Sequence, residues 1–78
     1  MITQIEDRSN GERQIMHLQF SSLYEMGIIK KYNEDTYEII TYGHDGKPNG
    51  ELLGFDSNIK TGLTKDDVKK YVNLMVRQ

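Results

Sequence analysis

The loop Gly43–Gly50 holds the residues best suited to chemistry, three different functional side chains among three glycines: His44, Asp45 and Lys47. A glycine-rich loop binds phosphate through its backbone amides when a Gly-Lys-Ser/Thr sequence leads into a helix. Here Pro48 follows the lysine and a strand-like segment follows the loop, so this arrangement is not predicted. His44 and Asp45 supply two metal ligands, whereas a stable site needs three or four. We predict a solvated loop with no metal or cofactor, in which His44 and Lys47 contact a partner.

Catalytic arrangements elsewhere lack the spacing they need. No serine or aspartate is aligned with His17 to form a triad. Adjacent carboxylates such as Glu34 and Asp35 would point to opposite faces of a strand, so they make a poor acid–base pair. The chain has no cysteine, which excludes disulfides and thiolate metal sites. The sequence therefore predicts a non-enzymatic protein without catalytic residues.

Tyrosine is the residue type in this chain best suited to contacting a partner, and the chain has five tyrosines. Tyr71 falls on a predicted helix stripe and is expected in the core. A domain of this size cannot bury all of the other four, so some should be exposed, and tyrosine is enriched at protein interfaces. We therefore predict a small protein-interaction module that contacts an unknown partner protein, or a second copy in a homodimer. The candidate contact tyrosines are Tyr24, Tyr32, Tyr37 and Tyr42.

Nucleic-acid binding is an alternative prediction. The spacing from Leu23 to the Gly-Ile-Ile segment at 27–29, followed by a charged hairpin, resembles the end of a recognition helix and the wing of a winged-helix domain. Lys30 and Lys31 would then approach phosphates. However, a hairpin signal precedes this segment where two helices are required. The formal charge of −2 also lacks the basic excess typical of such proteins, so nucleic acid is the less favoured partner.

The charges are unevenly distributed along the chain. Residues 33–56 carry six acidic side chains against Lys47 alone, and residues 57–78 carry five basic side chains against two acidic ones. The acidic stretch allows a third hypothesis, in which the protein mimics nucleic acid and occupies a basic site on its partner.

The elements that must position these residues are clearest at the C-terminal end. Apolar residues recur there with helical spacing, at Val68, Tyr71, Val72, Met75 and Val76. Thr64 and Asp67 have the spacing of a capping box, which marks where the helix begins. The sequence therefore predicts an amphipathic C-terminal helix that covers an apolar surface.

Turn signals divide the preceding residues into short strands. Asn10-Gly11 predicts a two-residue type I′ turn, and residues 21–27 fit either a short helical turn or a loop. The segments with strand-like composition are Ile2–Asp7, Arg13–Phe20, Ile28–Tyr32, Thr36–Tyr42 and Glu51–Phe55. We predict a single α+β domain over residues 1–78, an antiparallel meander of four to five strands with the helix on one face.

Length and composition bear on the oligomeric state and the location of the protein. A chain of 78 residues holds one small core, so self-association is a plausible source of added stability. No apolar run reaches the roughly 18 residues of a membrane span, and no signal peptide is visible. We therefore expect a cytoplasmic protein. The abundance of residues with AT-rich codons suggests a bacterial or phage origin.

Overall fold

In the residues that the structure describes, a five-stranded antiparallel sheet is followed by one helix, as the sequence predicts. The computed structural model describes residues 1–43 and 50–78, with the backbone alone described at 51 and 52. Each strand pairs with the next along the chain, in the order β1-β2-β3-β4-β5. The bounds are β1 Ile2–Asp7, β2 Arg13–Phe20, β3 Glu25–Lys31, β4 Tyr37–Tyr42 and β5 Ile59–Leu63. A 3₁₀ turn, Gly50–Leu53, precedes β5, and the helix α1, Lys65–Val76, follows it.

The start of α1 is fixed by the predicted capping box. The Thr64 hydroxyl accepts a hydrogen bond from the Asp67 amide at 3.2 Å, and the Asp67 carboxylate accepts one from the Thr64 amide at 3.0 Å. These two bonds satisfy donors that the first turn of a helix otherwise leaves unpaired. Met75, on the predicted apolar stripe, is fully buried.

The core lies between α1 and one face of the sheet. The 3₁₀ turn adds to it, and the Phe55 and Tyr71 rings meet edge to face with their centroids 4.8 Å apart. Among the described residues, the buried side chains that form this cluster are Leu18, Phe20, Met26, Ile39, Leu53, Phe55, Leu63 and Met75. No helix in the described part of the chain is long and apolar enough to cross a membrane.

The predicted strand Glu51–Phe55 is wrong. Gly50–Leu53 forms a 3₁₀ turn, closed by a hydrogen bond of 2.9 Å from the Phe55 amide to the Gly50 carbonyl. Gly54 then takes a φ of +79°, which reverses the chain and brings Phe55 into the core. The last strand lies further along, at Ile59–Leu63.

The first hairpin keeps both predicted strands but not the predicted type I′ turn. That turn needs positive φ angles at both central residues, and neither Asn10 nor Gly11 has one. Instead, the Asn10 side chain accepts hydrogen bonds from the amides of Glu12 and Arg13 at 2.8 and 3.0 Å. The loop is longer than the predicted two-residue turn, and the asparagine side chain organises it through these hydrogen bonds.

The ambiguous segment 21–27 contains no helix. A tight turn links β2 to β3, with hydrogen bonds from the Leu23 amide to the Phe20 carbonyl and from the Phe20 amide to the Tyr24 carbonyl. Leu23 has a φ of 70°, a left-handed conformation that is uncommon for a bulky residue. Since β3 begins at Glu25, the segment that suggested a recognition helix is a turn and a strand.

Candidate functional site

The face of the sheet opposite α1 is the candidate site, and we call it the open face. Among the described elements, α1 and the 3₁₀ turn both pack on the core side. The pairing register and the alternation of side chains define the open face in four cross-strand rows. These rows are Gln4, Gln19, Glu25 and Tyr42; Glu6, His17, Gly27, Ile40 and Ile59; Arg8, Ile15, Ile29 and Glu38; and Arg13 and Lys31.

His17 lies at the centre of the open face and is only 5% exposed. Its Nε2 is 2.7 Å from Glu25 Oε1, and its Nδ1 is 3.3 Å from Arg8 Nη1. A guanidinium can only donate, so Nδ1 must accept from Arg8. The ring proton therefore lies on Nε2 and is donated to the Glu25 carboxylate. Both ring nitrogens are engaged, which makes the imidazole a fixed part of the surface.

The network extends to both neighbouring strands. Arg8 donates to the Glu6 carboxylate at 3.0 Å, and the Gln19 amide donates to Glu25 at 3.5 Å. The hydrogen bond from Arg8 lowers the pKa of the Glu6 carboxyl group, and the same bond raises the pKa of Arg8. Glu6 thus helps to direct the guanidinium toward His17. The cluster links β1, β2 and β3 through side chains as well as backbone bonds.

An aromatic ring borders this cluster on β4. The Tyr42 ring centroid is 5.4 Å from that of His17, and the two planes are inclined by 46°. The same ring covers Gly27, where a Cβ atom would lie 3.8 Å from the nearest ring carbon. Tyr42 remains 43% exposed. It therefore shields the middle of β3 while presenting a large amphipathic surface to solvent.

Isoleucines occupy the remaining centre of the open face. Ile29 is 9% exposed, yet it is not part of the core cluster on the other side of the sheet. Ile15 and Ile40 beside it are half-buried, and Ile59 on the edge strand is 47% exposed. The open face thus combines a rigid polar network with an apolar strip.

The predicted contact tyrosines do not form one surface. Tyr42 lies on the open face, and Tyr32 is 51% exposed at the turn after β3. Tyr24 and Tyr37 are partly buried against the core, so their main contribution is to packing. His44 and Lys47, also predicted contacts, lie outside the described residues.

The two lysines of the nucleic-acid hypothesis point in different directions. Lys30 and Lys31 are consecutive in β3, so their side chains emerge on opposite faces of the sheet. The Lys31 ammonium lies 3.9 Å from the Glu34 carboxylate in the next turn. The two lysines therefore cannot contact one phosphate backbone from a single face. The acidic stretch 33–56 includes residues outside the described ranges, and nucleic-acid mimicry stays a prediction.

No protein-family model matches the chain, and no curated protein or solved structure is detectably similar to it. Residues 1–43 and 50–78 contain no group of three or more histidine, aspartate or glutamate side chains placed to bind a metal ion.

Sequence reasoning missed the His17 cluster. In β2 the apolar residues Met16, Leu18 and Phe20 alternate with His17 and Gln19, which indicates that His17 lies on the polar face but gives no sign that its ring is buried. The available signal was the spacing of Glu6 and Arg8 on β1, two residues apart. It becomes informative only once the register of β1 on β2 is known.

Proposed function

We propose that this protein is a non-enzymatic protein-binding module and that the open face is its contact surface. The observation that carries the proposal is His17, which is buried and hydrogen-bonded at both ring nitrogens on a sheet face that no described element covers. A buried ring whose two nitrogens are both hydrogen-bonded has a fixed orientation, which rigidifies the surface around it. A rigid surface loses little conformational entropy when a partner docks.

The composition of the open face favours a protein partner. It carries acidic and basic side chains together, with isoleucines and an exposed tyrosine between them. Protein interfaces combine an apolar, aromatic centre with a polar rim in this way. A phosphate backbone instead selects a surface with an excess of lysine and arginine.

Both nitrogens of His17 are occupied by Arg8 and Glu25, which supports a binding role over proton transfer. A general base needs an accessible nitrogen within hydrogen-bonding reach of its substrate. Here the ring is buried, and its hydrogen bonds are directed along the surface to β1 and β3. The cluster is therefore better suited to keeping the open face rigid than to catalysing a reaction.

Site-specific photocrosslinking tests the proposal. A benzophenone amino acid replaces Ile59, which is exposed on the open face, or Lys69, which is exposed on α1 as the matched control. After irradiation in a native extract, we expect a crosslinked product of defined mass from position 59 and none from position 69. Excess unlabelled protein should suppress it. Equal products from both positions, or no product at either, would overturn the proposal.

A further inference from the structure

We infer that the open face binds a second copy of this chain, face to face, about a two-fold axis that runs across the strands. This inference rests on the proposed function, because it identifies the partner of the same surface. It is carried by the arrangement of charges on the four rows, which makes the face complementary to itself in one orientation.

The two halves of the open face have opposite charge. The two rows nearer the turn between β2 and β3 carry two acids and no lysine or arginine, Glu6 and Glu25. The other two rows carry three bases and one acid, Arg8, Arg13, Lys31 and Glu38. The formal charges are therefore −2 and +2 with His17 neutral. Two ion pairs within each copy reduce this separation of charge without reversing it. Arg8 lies 3.0 Å from Glu6 across the boundary between the halves, and Lys31 lies 3.9 Å from Glu34.

Symmetry decides how two such faces can meet. In a two-fold dimer the same surface serves on both copies. An axis parallel to the strands would place each half on its own counterpart, so that like charges face one another. An axis across the strands places the acidic half of each copy on the basic half of the other. This second arrangement sets Glu25 near the partner's Lys31, and it is the one we propose.

The middle rows supply the apolar centre of this interface. Ile15, Ile29 and Ile40 lie between the charged ends and would be further covered when two sheets pack about 10 Å apart. Five strands spaced by about 4.8 Å, each contributing about six residues, give a footprint of roughly 480 Å² per copy. The total of roughly 1,000 Å² lies at the lower limit for a specific interface. We therefore expect a reversible dimer whose stability depends on salt.

The edges of the sheet are less suited to self-association than its face. Gly62 in β5 has a φ of 69°, which interrupts the regular edge of that strand. On the other edge, the pairing of β1 shifts between Ile2 and Gln4. Irregular edge strands resist the addition of a further strand.

Sedimentation equilibrium of the purified full-length chain tests the inference. We expect the wild-type mass to rise with concentration from 9.1 kDa toward twice that value. The dissociation constant should rise at least several-fold between about 50 and about 500 mM salt, because screening weakens charge pairs. A wild-type protein that stays monomeric at about 1 mM, where even weak dimers form, would overturn the inference.

Charge reversal then tests the geometry. The double variant Arg13→Glu with Lys31→Glu should raise the dissociation constant at least tenfold. The matched control Lys69→Glu with Arg77→Glu makes the same change in net charge away from the open face, and it should dimerise like the wild type. Circular dichroism checks that each variant is folded.

Mixing two charge variants tests whether association can be restored. In the proposed orientation the acidified half of the Arg13→Glu, Lys31→Glu variant lies over the partner's acidic half, which Glu6→Lys makes neutral. The intact basic half of the Glu6→Lys protein then lies over the native acidic half of the other variant. We expect the mixture to form heterodimers more tightly than the Arg13→Glu, Lys31→Glu variant dimerises alone. If the control dissociates like the test variant, or if mixing restores nothing, the proposed orientation is wrong. A monomeric wild type that still crosslinks another protein from position 59 would refute the second copy and leave the proposed function standing.

Discussion

Replacing Gly50 by alanine should be among the most damaging single-methyl changes in this fold. A Cβ atom at this position would meet the carbonyl oxygen of Ser57 at a distance that real structures do not allow. It would also lie 2.9 Å from the Ser57 carbonyl carbon and 3.1 Å from the Asn58 Cα. All three are backbone atoms, so no side-chain rotation relieves the contact. The chain at Ser57 and Asn58 must move away from the 3₁₀ turn.

That movement breaks contacts that hold the core together. The Asn58 carbonyl accepts hydrogen bonds from the Thr41 amide at 2.8 Å and the Thr41 hydroxyl at 3.2 Å, and Thr41 is 1% exposed. Leaving a buried donor unpaired costs about 1–3 kcal/mol, and forcing extra volume into a packed region costs about 1–3 kcal/mol. Gly50→Ala should therefore lower the free energy of unfolding by about 2–6 kcal/mol. At the lower end the melting temperature falls by at least about 8 °C.

Urea unfolding followed by circular dichroism measures this loss, with two other glycines as controls. A Cβ at Gly11 meets nothing within 4 Å, so Gly11→Ala should change stability by no more than about 0.5 kcal/mol. Gly27→Ala brings a methyl group into ordinary contact with the Tyr42 ring and should stabilise β3 by about 0.5–1 kcal/mol. A Gly50→Ala protein within about 0.5 kcal/mol of the wild type would refute the described approach of the two backbones.

Three further predictions concern the helix cap and the His17 network. Thr64→Ala should lower the free energy of unfolding by about 1 kcal/mol, whereas Thr64→Ser should be nearly neutral in the same thermal melt because serine keeps the hydroxyl acceptor. Glu25→Ala removes the acceptor of the His17 Nε2 proton and should cost about 1–3 kcal/mol in urea unfolding; Glu25→Gln keeps an acceptor, and an equal loss in both variants would contradict the assigned hydrogen bond. The hydrogen bond from the Thr64 backbone amide lowers the pKa of Asp67 below its ordinary value of 3.8, so its contribution to stability is complete above that value and is lost as pH falls through the lowered pKa. Asp67→Asn should therefore flatten the fall in melting temperature below about pH 4, and an unchanged acid profile would count against the cap.

The sequence predicted the elements whose signals are local. The capping residues and the apolar spacing of α1 lie within a few residues of one another, so they indicate the helix without knowledge of the fold. The strands β1 and β2 have the predicted bounds because the turn residues Asn10 and Gly11 separate them and apolar residues alternate along β2.

The elements that were missed depend on distant contacts. The apolar run from Leu52 to Phe55 is compatible with a strand or a turn, and the close approach of Gly50 to Ser57 decides between them. The strand β5 has four exposed residues before Leu63, so it shows no alternating apolar pattern. It forms because β4 offers an edge with which it can pair.

The position of Glu6 and Arg8 shows most clearly why the site could not be derived from alternation alone. Ile2, Glu6 and Arg8 are separated by even numbers of residues, so a regular strand would place all three on one face. In the structure Ile2 pairs with Phe20 and Gln4 with Gln19, which leaves Thr3 as an extra residue in β1. This bulge reverses the alternation, so Ile2 packs against the core while Glu6 and Arg8 reach the open face. Because of this one inserted residue, β1 can pack Ile2 against the core and still place Glu6 and Arg8 in the network around His17. Only the pairing of β1 with β2 reveals the inserted residue.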